Sequence, residues 1–254
     1  MNRIEIGPAG EFSLGGENFI IDMTWGGARP STSQAFTIVK DEPYLRVYED
    51  LASAFSPRSI LELGIFQGGS YVLLDKLFKP RRMSAVEKSA EPVAPLLRYI
   101  ADKEDRFVHF STLQSDRETL KQIVQDELGH ELDLVVDDAS HTYEKTRASF
   151  EVLFPLLQPG GIYSIEDWSW AHVPRYQSPD APFFKRHALS NLLFEQLMLM
   201  GSTSLISEIR VWHFLYLIRK AKSAPGASEM GARRGEDASI FDHILSRGRK
   251  WSLI

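Results

Sequence analysis

With 254 residues, a net charge of −5, 43% hydrophobic and 25% charged residues and no cysteine, the chain has the composition of an ordinary globular protein. The missing cysteines exclude disulfides, thiolate metal sites and a cysteine nucleophile. The acidic balance argues against a nucleic-acid partner, and no apolar run or leader core suggests a membrane, so a cytoplasmic location is expected.

Residues 1–43 are rich in Gly, Ser and Thr and read as an N-terminal arm with a short hairpin near Phe12–Asp22. Tyr44 to Phe55 has helical spacing. From there strands and helices alternate. Strands are expected at Ser59–Leu63, Met83–Glu87, Phe107–Phe110, Leu132–Val136 and Ile162–Ile165. Helices are expected at Tyr71–Leu77, Pro92–Ala101, Asp116–Leu128 and Tyr143–Leu157, the last ended by Gln158-Pro159-Gly160-Gly161. Trp168 to Pro182, rich in aromatics and prolines, is long enough for a functional lid. Ser190–Met200 is helical, and Ile206–Arg210 and Trp212–Arg219 read as a closing antiparallel strand pair. Ser223–Asp237 reads as mobile, and Ile240–Leu245 as a last short helix. The alternation predicts an α/β fold, a doubly wound, mostly parallel sheet. It would form a single domain, with a core over 44–220 and a tail over 221–254. From Arg219 onward eight Lys/Arg face four Asp/Glu, a charge of +4 against −9 elsewhere, which suits a solvated basic tail.

Two strands end in acids. Leu134-Val135-Val136-Asp137-Asp138 leads to His141, and Ile162-Tyr163-Ser164-Ile165 leads to Glu166 and Asp167. Ligands of open α/β sheets collect at the carboxyl ends of strands, so Asp138, Glu166 and Asp167 should share a crevice. Carboxylates that close repel one another unless a cation lies between them, and oxygen donors favour a hard ion, Mg²⁺. His141 is then placed as a general base.

The turn after the first strand, Glu62-Leu63-Gly64-Ile65-Phe66-Gln67-Gly68-Gly69-Ser70, fits neither the dinucleotide fingerprint nor a P-loop. An acid before its first glycine suits a cationic ligand such as S-adenosylmethionine. Glu87, nineteen residues after Gly68, ends the second strand, where an acid can accept ribose hydroxyls.

These segments resemble the class I S-adenosylmethionine-dependent methyltransferases: the glycine turn their first motif, Glu87 their second, and Gln114-Ser115-Asp116 their adenine-side segment. Within that superfamily Asp137-Asp138-Ala139-Ser140-His141 and Ile165-Glu166-Asp167 resemble the magnesium-dependent sugar O-methyltransferases. These include the macrolide-sugar and rhamnosyl enzymes and their cephalosporin hydroxylase-like relatives. The mycobacterial methylmannose-polysaccharide methyltransferases are a further resemblance. The resemblance covers roughly residues 55 to 220. It implies cofactor contacts from Glu62, Gly64, Gln67, Gly68, Ser70, Glu87, Gln114, Ser115 and Asp137. It also implies Mg²⁺ on Asp138, Glu166 and Asp167, and His141 as the base. Leu113 stands where relatives tend to carry an acid facing the adenine, so that contact either falls to Gln114 or is missing.

The expected reaction is methyl transfer from S-adenosylmethionine to a sugar hydroxyl of a glycoside or polysaccharide precursor, so the partner is a small-molecule or oligosaccharide acceptor. A homo-oligomer is expected. Trp25, Trp168, Trp170 and Tyr176 are candidates for the acceptor wall, with His172 beside them. Aromatic faces suit phenols as well as sugars, so a catechol-like acceptor stays open. So do an iron-dependent hydroxylase using Asp138 and His141, although no second histidine motif has the spacing, and a non-catalytic binding module on the same fold.

Overall fold

The computed structural model describes residues 3–24, 28–181, 183–224 and 239–242. The hairpin in the arm consists of β1 (Glu11–Leu14) and β2 (Glu17–Ile21), antiparallel across a Gly15-Gly16 turn whose residues have φ of 57° and 88°. Positive φ at both positions is the conformation glycine adopts without steric cost. A third strand, β3 (Phe36–Ile38), lies parallel to β2 and completes a small sheet. At three residues it is too short to show a period in the sequence.

The chain then alternates through α1 (Glu42–Ala54), β4 (Ser59–Leu63), α2 (Gly69–Phe78), β5 (Arg82–Val86) and α3 (Ala94–Ile100). It continues with β6 (Arg106–His109), α4 (Arg117–Asp126), β7 (Leu132–Asp137), α5 (Tyr143–Leu156) and β8 (Leu157–Glu166). It ends in α6 (Ser190–Ser202), β9 (Ile206–Val211) and β10 (Leu215–Lys220). The seven-stranded sheet has the order β6-β5-β4-β7-β8-β10-β9, and β10 runs antiparallel to both of its neighbours. This is the expected doubly wound α/β sheet with an antiparallel closing pair. Strand order reverses between β4 and β7, so the ligand crevice lies at their carboxyl ends.

β4 is buried along its whole length, as a parallel strand covered on both faces requires. Its pleat divides the core. Ile60 joins one buried cluster with Leu134, Val136 and Ile162, while Leu61 and Leu63 join another with Val135, Tyr163 and Ile165. Each such aliphatic side chain contributes about 1.5–3 kcal/mol when fully buried. The arm belongs to the first cluster, since Phe12, Phe19, Phe36 and Ile38 pack there with Tyr48 and Tyr71.

The Gln158-Pro159-Gly160-Gly161 segment, read as a helix stop, lies inside β8. Leu157 pairs with Leu132, and the register shifts before Leu134. Gly160, at φ 84°, supplies the left-handed residue of this irregularity. In the lid segment Trp170–His172 and Pro174–Tyr176 form short 3-10 turns. Of the two C-terminal expectations, Ser223–Asp237 lies outside the described residues except for its first two. Only Ile240 to Asp242 of the last helix is described, with Phe241 buried against Phe150.

Candidate active site

A cavity of about 530 Å³ opens at the carboxyl ends of β4, β5, β7 and β8. Gly64 and Glu87 line one side, and Asp138, His141, Asp167 and Trp170 line the other. Gly64 has φ 84°, and a Cβ there would lie 2.5 Å from the Asp138 carbonyl oxygen, so only glycine lets the β4 turn pass so close to the β7 loop.

Asp138 and Asp167 meet on the cavity wall together with His141, without Glu166. Asp138, His141 and Asp167 each offer a ligand atom, all within 4.8 Å of one another. His141 and Asp167 have φ of 53° and 54°, in the left-handed region that residues other than glycine seldom adopt. His141 Nε2 is 4.0 Å from Asp138 Oδ1 and 4.0 Å from Asp167 Oδ2, too far for a hydrogen bond to either. Its ring packs against Trp170 with centroids 4.4 Å apart, and its buried Nδ1 has no hydrogen-bond partner among the described residues.

Glu166 is set apart from these three. It is 1% exposed, its Oε2 accepts from Lys40 Nζ at 2.5 Å, and its Oε1 accepts from the Tyr48 hydroxyl at 2.5 Å. The same Lys40 ammonium donates to Asp138 Oδ2 at 2.6 Å, and the Tyr44 hydroxyl donates to Asp167 Oδ1. Burial and the neighbouring Asp138 charge push Glu166 up to about 8 against the pull of Lys40, and the same two causes raise Asp167. Burial disfavours the Lys40 ammonium, but the charges of Asp138 and Glu166 outweigh it and hold Lys40 above the ordinary lysine range. Sequence reading missed Lys40, Tyr44 and Tyr48. One signal was available: Lys40 ends the run Phe36-Thr37-Ile38-Val39, just as the acids end theirs.

The cofactor candidates separate in space. Glu87 faces the cavity, with Oε2 accepting from the amides of Ile65 and Phe66 at 3.1 Å and Oε1 from Ser89 N at 2.9 Å. Gln114 also lines the cavity; its Nε2 donates to Asp137 at 3.0 Å, and its Oε1 has no partner among the described residues. Several other candidates lie off the cavity wall. Glu62 is fully buried on β4 and does not reach the cavity wall. Burial pushes it up to about 8, with the Ser70 side chain as the main counterweight, and neither carboxylate oxygen has a hydrogen-bond partner of normal geometry among the described residues. Asp137 points into the core, where it accepts from Ser149 Oγ at 2.7 Å and the Tyr163 hydroxyl at 3.0 Å, and burial pushes it up to about 6. Gln67 ties down the arm, since its Oε1 and its carbonyl oxygen accept from Ser31 N and Oγ. Gly68 caps α2 with φ 77° behind the wall, and Ser70 and Ser115 also lie off it.

Of the acceptor-wall candidates among the described residues, Trp170 lines the cavity. Trp168 is packing: its indole N–H donates to the Trp212 carbonyl at 2.8 Å, and its ring meets Tyr216 edge-on. Tyr176 is 5% exposed and stacks behind Trp170 at 5.6 Å, and His172 pairs with Ser190 Oγ at 2.8 Å. Trp25 lies outside the described residues.

Residues 61–168, which hold the glycine turn and both acidic strand ends, match a family described as a methyltransferase domain. The 8-demethyl-8-alpha-L-rhamnosyl tetracenomycin-C 2'-O-methyltransferase of Streptomyces olivaceus is 29% identical over 147 residues, 53% of this chain and 35% of that one. The mycinamicin VI 2''-O-methyltransferase of Micromonospora griseorubida is 48% identical over 44 residues, 17% of this chain and 11% of that one. Among solved structures, the MycE methyltransferase from the mycinamycin biosynthetic pathway, in complex with Mg, SAH and mycinamycin VI, superposes with a TM-score of 0.54 at 24% identity. That match covers 72% of this chain and 50% of that one, so the chain spans half or less of the length of these relatives. No helix among the described residues is long and apolar enough to cross a membrane.

Proposed function

We propose that this chain is a metal-dependent O-methyltransferase that moves a methyl group from S-adenosylmethionine to a sugar hydroxyl of a glycoside or polysaccharide precursor. The observation that carries the reading is the placing of Asp138, His141 and Asp167 within 4.8 Å of one another on the wall of the cavity that Gly64 and Glu87 also line. The sugar acceptor is supported by relatives whose names place the methyl group on a rhamnosyl tetracenomycin-C and on an L-olivosyl-oleandolide.

The residues fit both implied groups. Oxygen donors from Asp138 and Asp167 on the cavity wall, with Glu166 buried beside them, would suit Mg²⁺; burial first and the Asp138 charge second raise Glu166 and Asp167, and a dication would offset that charge. The exposed Phe66 and Leu113, the unpaired Gln114 Oε1 and the Glu87 carboxylate form a mixed apolar and polar wall suited to a nucleoside. When bound, S-adenosylmethionine supplies an activated methyl group and Mg²⁺ supplies a Lewis acid for the acceptor oxygen.

The chain does the rest. Glu87 keeps lone-pair capacity for a ribose hydroxyl beyond its three backbone bonds. Asp138 and Asp167 fix the acceptor end of the cavity. His141 Nε2, which faces both acids, would take the proton of an acceptor hydroxyl placed between them, ready for the methyl group that a bound S-adenosylmethionine would supply. Trp170 holds the imidazole plane and offers its own face to the acceptor. A panel of glycosides and one catechol, incubated with methyl-labelled cofactor, tests the reading. Label should enter a glycoside, be lost with EDTA and return with Mg²⁺. Full transfer in EDTA refutes the metal dependence, and transfer to the catechol alone refutes the sugar.

A further inference from the structure

Lys40 is 3% exposed and is brought to the acids from 98 residues before Asp138 and 126 before Glu166. Its segment is held tightly. A Cβ on Gly69 would lie 2.0 Å from the Thr37 carbonyl oxygen, and the Ser31 hydroxyl bonds both Gln67 and the Thr37 amide. The ammonium therefore enters the acid cluster as a fixed part of the fold.

Its bonds divide the cluster. Asp138 gives Oδ2 to Lys40 and turns Oδ1 toward His141. Glu166 gives Oε2 to Lys40, and its other oxygen is taken by Tyr48. Asp167 is held by Tyr44, whose ring lies 5.6 Å from the ammonium, and the carboxyl of Glu62 on β4 is within the field of the same charge. Among the described residues, Lys40 is the cation that forms ion pairs of hydrogen-bonding length with these acids. Asp138 is a quarter exposed and Glu166 is buried, and two carboxylates this close repel each other unless a cation lies between them, the place that this ammonium takes in the metal-free protein. A dication on Glu166 would claim an oxygen that Lys40 or Tyr48 already holds, and one on either acid would be repelled by the ammonium.

We propose that Lys40 is a resident cation, a positioning residue that holds Asp138 and Glu166 together without metal and competes with the divalent ion for them. The proposal rests on the metal-dependent reading above. Lys40 orients Asp138, which helps a metal bind, and it adds positive charge, which hinders binding. At these separations the charge dominates. Displacing the ammonium frees Glu166 Oε2 to join Asp138 and Asp167 as a donor.

The test is Mn²⁺ affinity, read by electron paramagnetic resonance, together with melting temperature in EDTA, for wild type, Lys40→Met and Lys40→Arg. Lys40→Met should bind Mn²⁺ about tenfold tighter or more, melt lower in EDTA and regain wild-type stability with Mn²⁺. Lys40→Arg, which keeps the charge, should bind no tighter than wild type. If Lys40→Met folds only with Mn²⁺, its affinity is read by competition with a chelator. Equal or weaker Mn²⁺ binding by Lys40→Met overturns the proposal, as does equal tightening in Lys40→Arg. A wild type that binds no Mn²⁺ overturns the metal reading instead, before any variant is compared.

Discussion

Glu87→Ala separates the two tasks assigned to this carboxylate, shaping the glycine turn and holding the cofactor. Its three backbone donors differ in setting. The Ile65 amide belongs to a residue 2% exposed, whereas Phe66 is 56% exposed and its amide gains water when the carboxylate is removed. Stranding one buried donor costs about 1–3 kcal/mol, and the Phe66 and Ser89 bonds add less, so a folding loss of about 2–3 kcal/mol is expected. Cofactor binding loses a charge-assisted hydrogen bond to ribose, about 1–3 kcal/mol, or roughly 5- to 150-fold in affinity. Urea denaturation reads the first loss, and titration calorimetry with S-adenosylmethionine at a temperature where the variant is fully folded reads the second. Glu87→Gln keeps an acceptor oxygen and should fall between wild type and Glu87→Ala on both measures. Unchanged calorimetric affinity in a destabilised Glu87→Ala would leave the carboxylate as a turn cap alone. Unchanged stability would mean that the backbone bonds contribute nothing, and the account of the turn would fail.

His141→Ala should retain cofactor and Mn²⁺ binding while turnover falls by about 10²–10⁴-fold, which single-turnover kinetics would show; loss of ion binding instead would make the histidine a ligand. Asp137→Asn should remove a pH dependence of stability. The folded-state value near 6 lies above the ordinary 3.8, so the native state binds the extra proton. The associated stability is present below about 3.8 and is lost as pH rises through about 6, a fall of about 3 kcal/mol. Wild-type minus Asp137→Asn stability, measured by urea denaturation from pH 4 to 7, should decline by that order, and a flat difference would refute the burial argument. The same variant should bind S-adenosylmethionine nearly as wild type does, since Asp137 reaches the cavity wall only through Gln114 Nε2 and an asparagine keeps an acceptor oxygen for that bond.

The sequence was sufficient for what depends on local pattern. Apolar runs bounded by turns located the parallel strands, because a strand buried on both faces has to be apolar throughout. Acids placed just after such runs could only lie at the carboxyl edge, and Asp138, Asp167 and Glu87 are there. Facing was harder to read. Asp137 and Asp138 are adjacent, and the pleat sends one into the core and the other to the cavity, so a one-residue difference reverses the role. Trp168 and Trp170 divide similarly, according to the turn that begins at Asp167. Gln67 sits in the glycine turn, but its amide is claimed by an arm that no local pattern ties to it.

The pairing of Lys40 with Asp138 and Glu166, and of Tyr44 and Tyr48 with the second acidic pair, was decided only by the tertiary structure. Tyr44 and Tyr48 lie four apart on α1 and read as an ordinary packing face, and Lys40 reads as a solvated charge at the end of a short strand. Their partners lie about a hundred residues away in the chain, and local periodicity carries no information at that range. The packing of β3 against α2 brings the ammonium to the acids, and once there burial fixes the charge balance of the site.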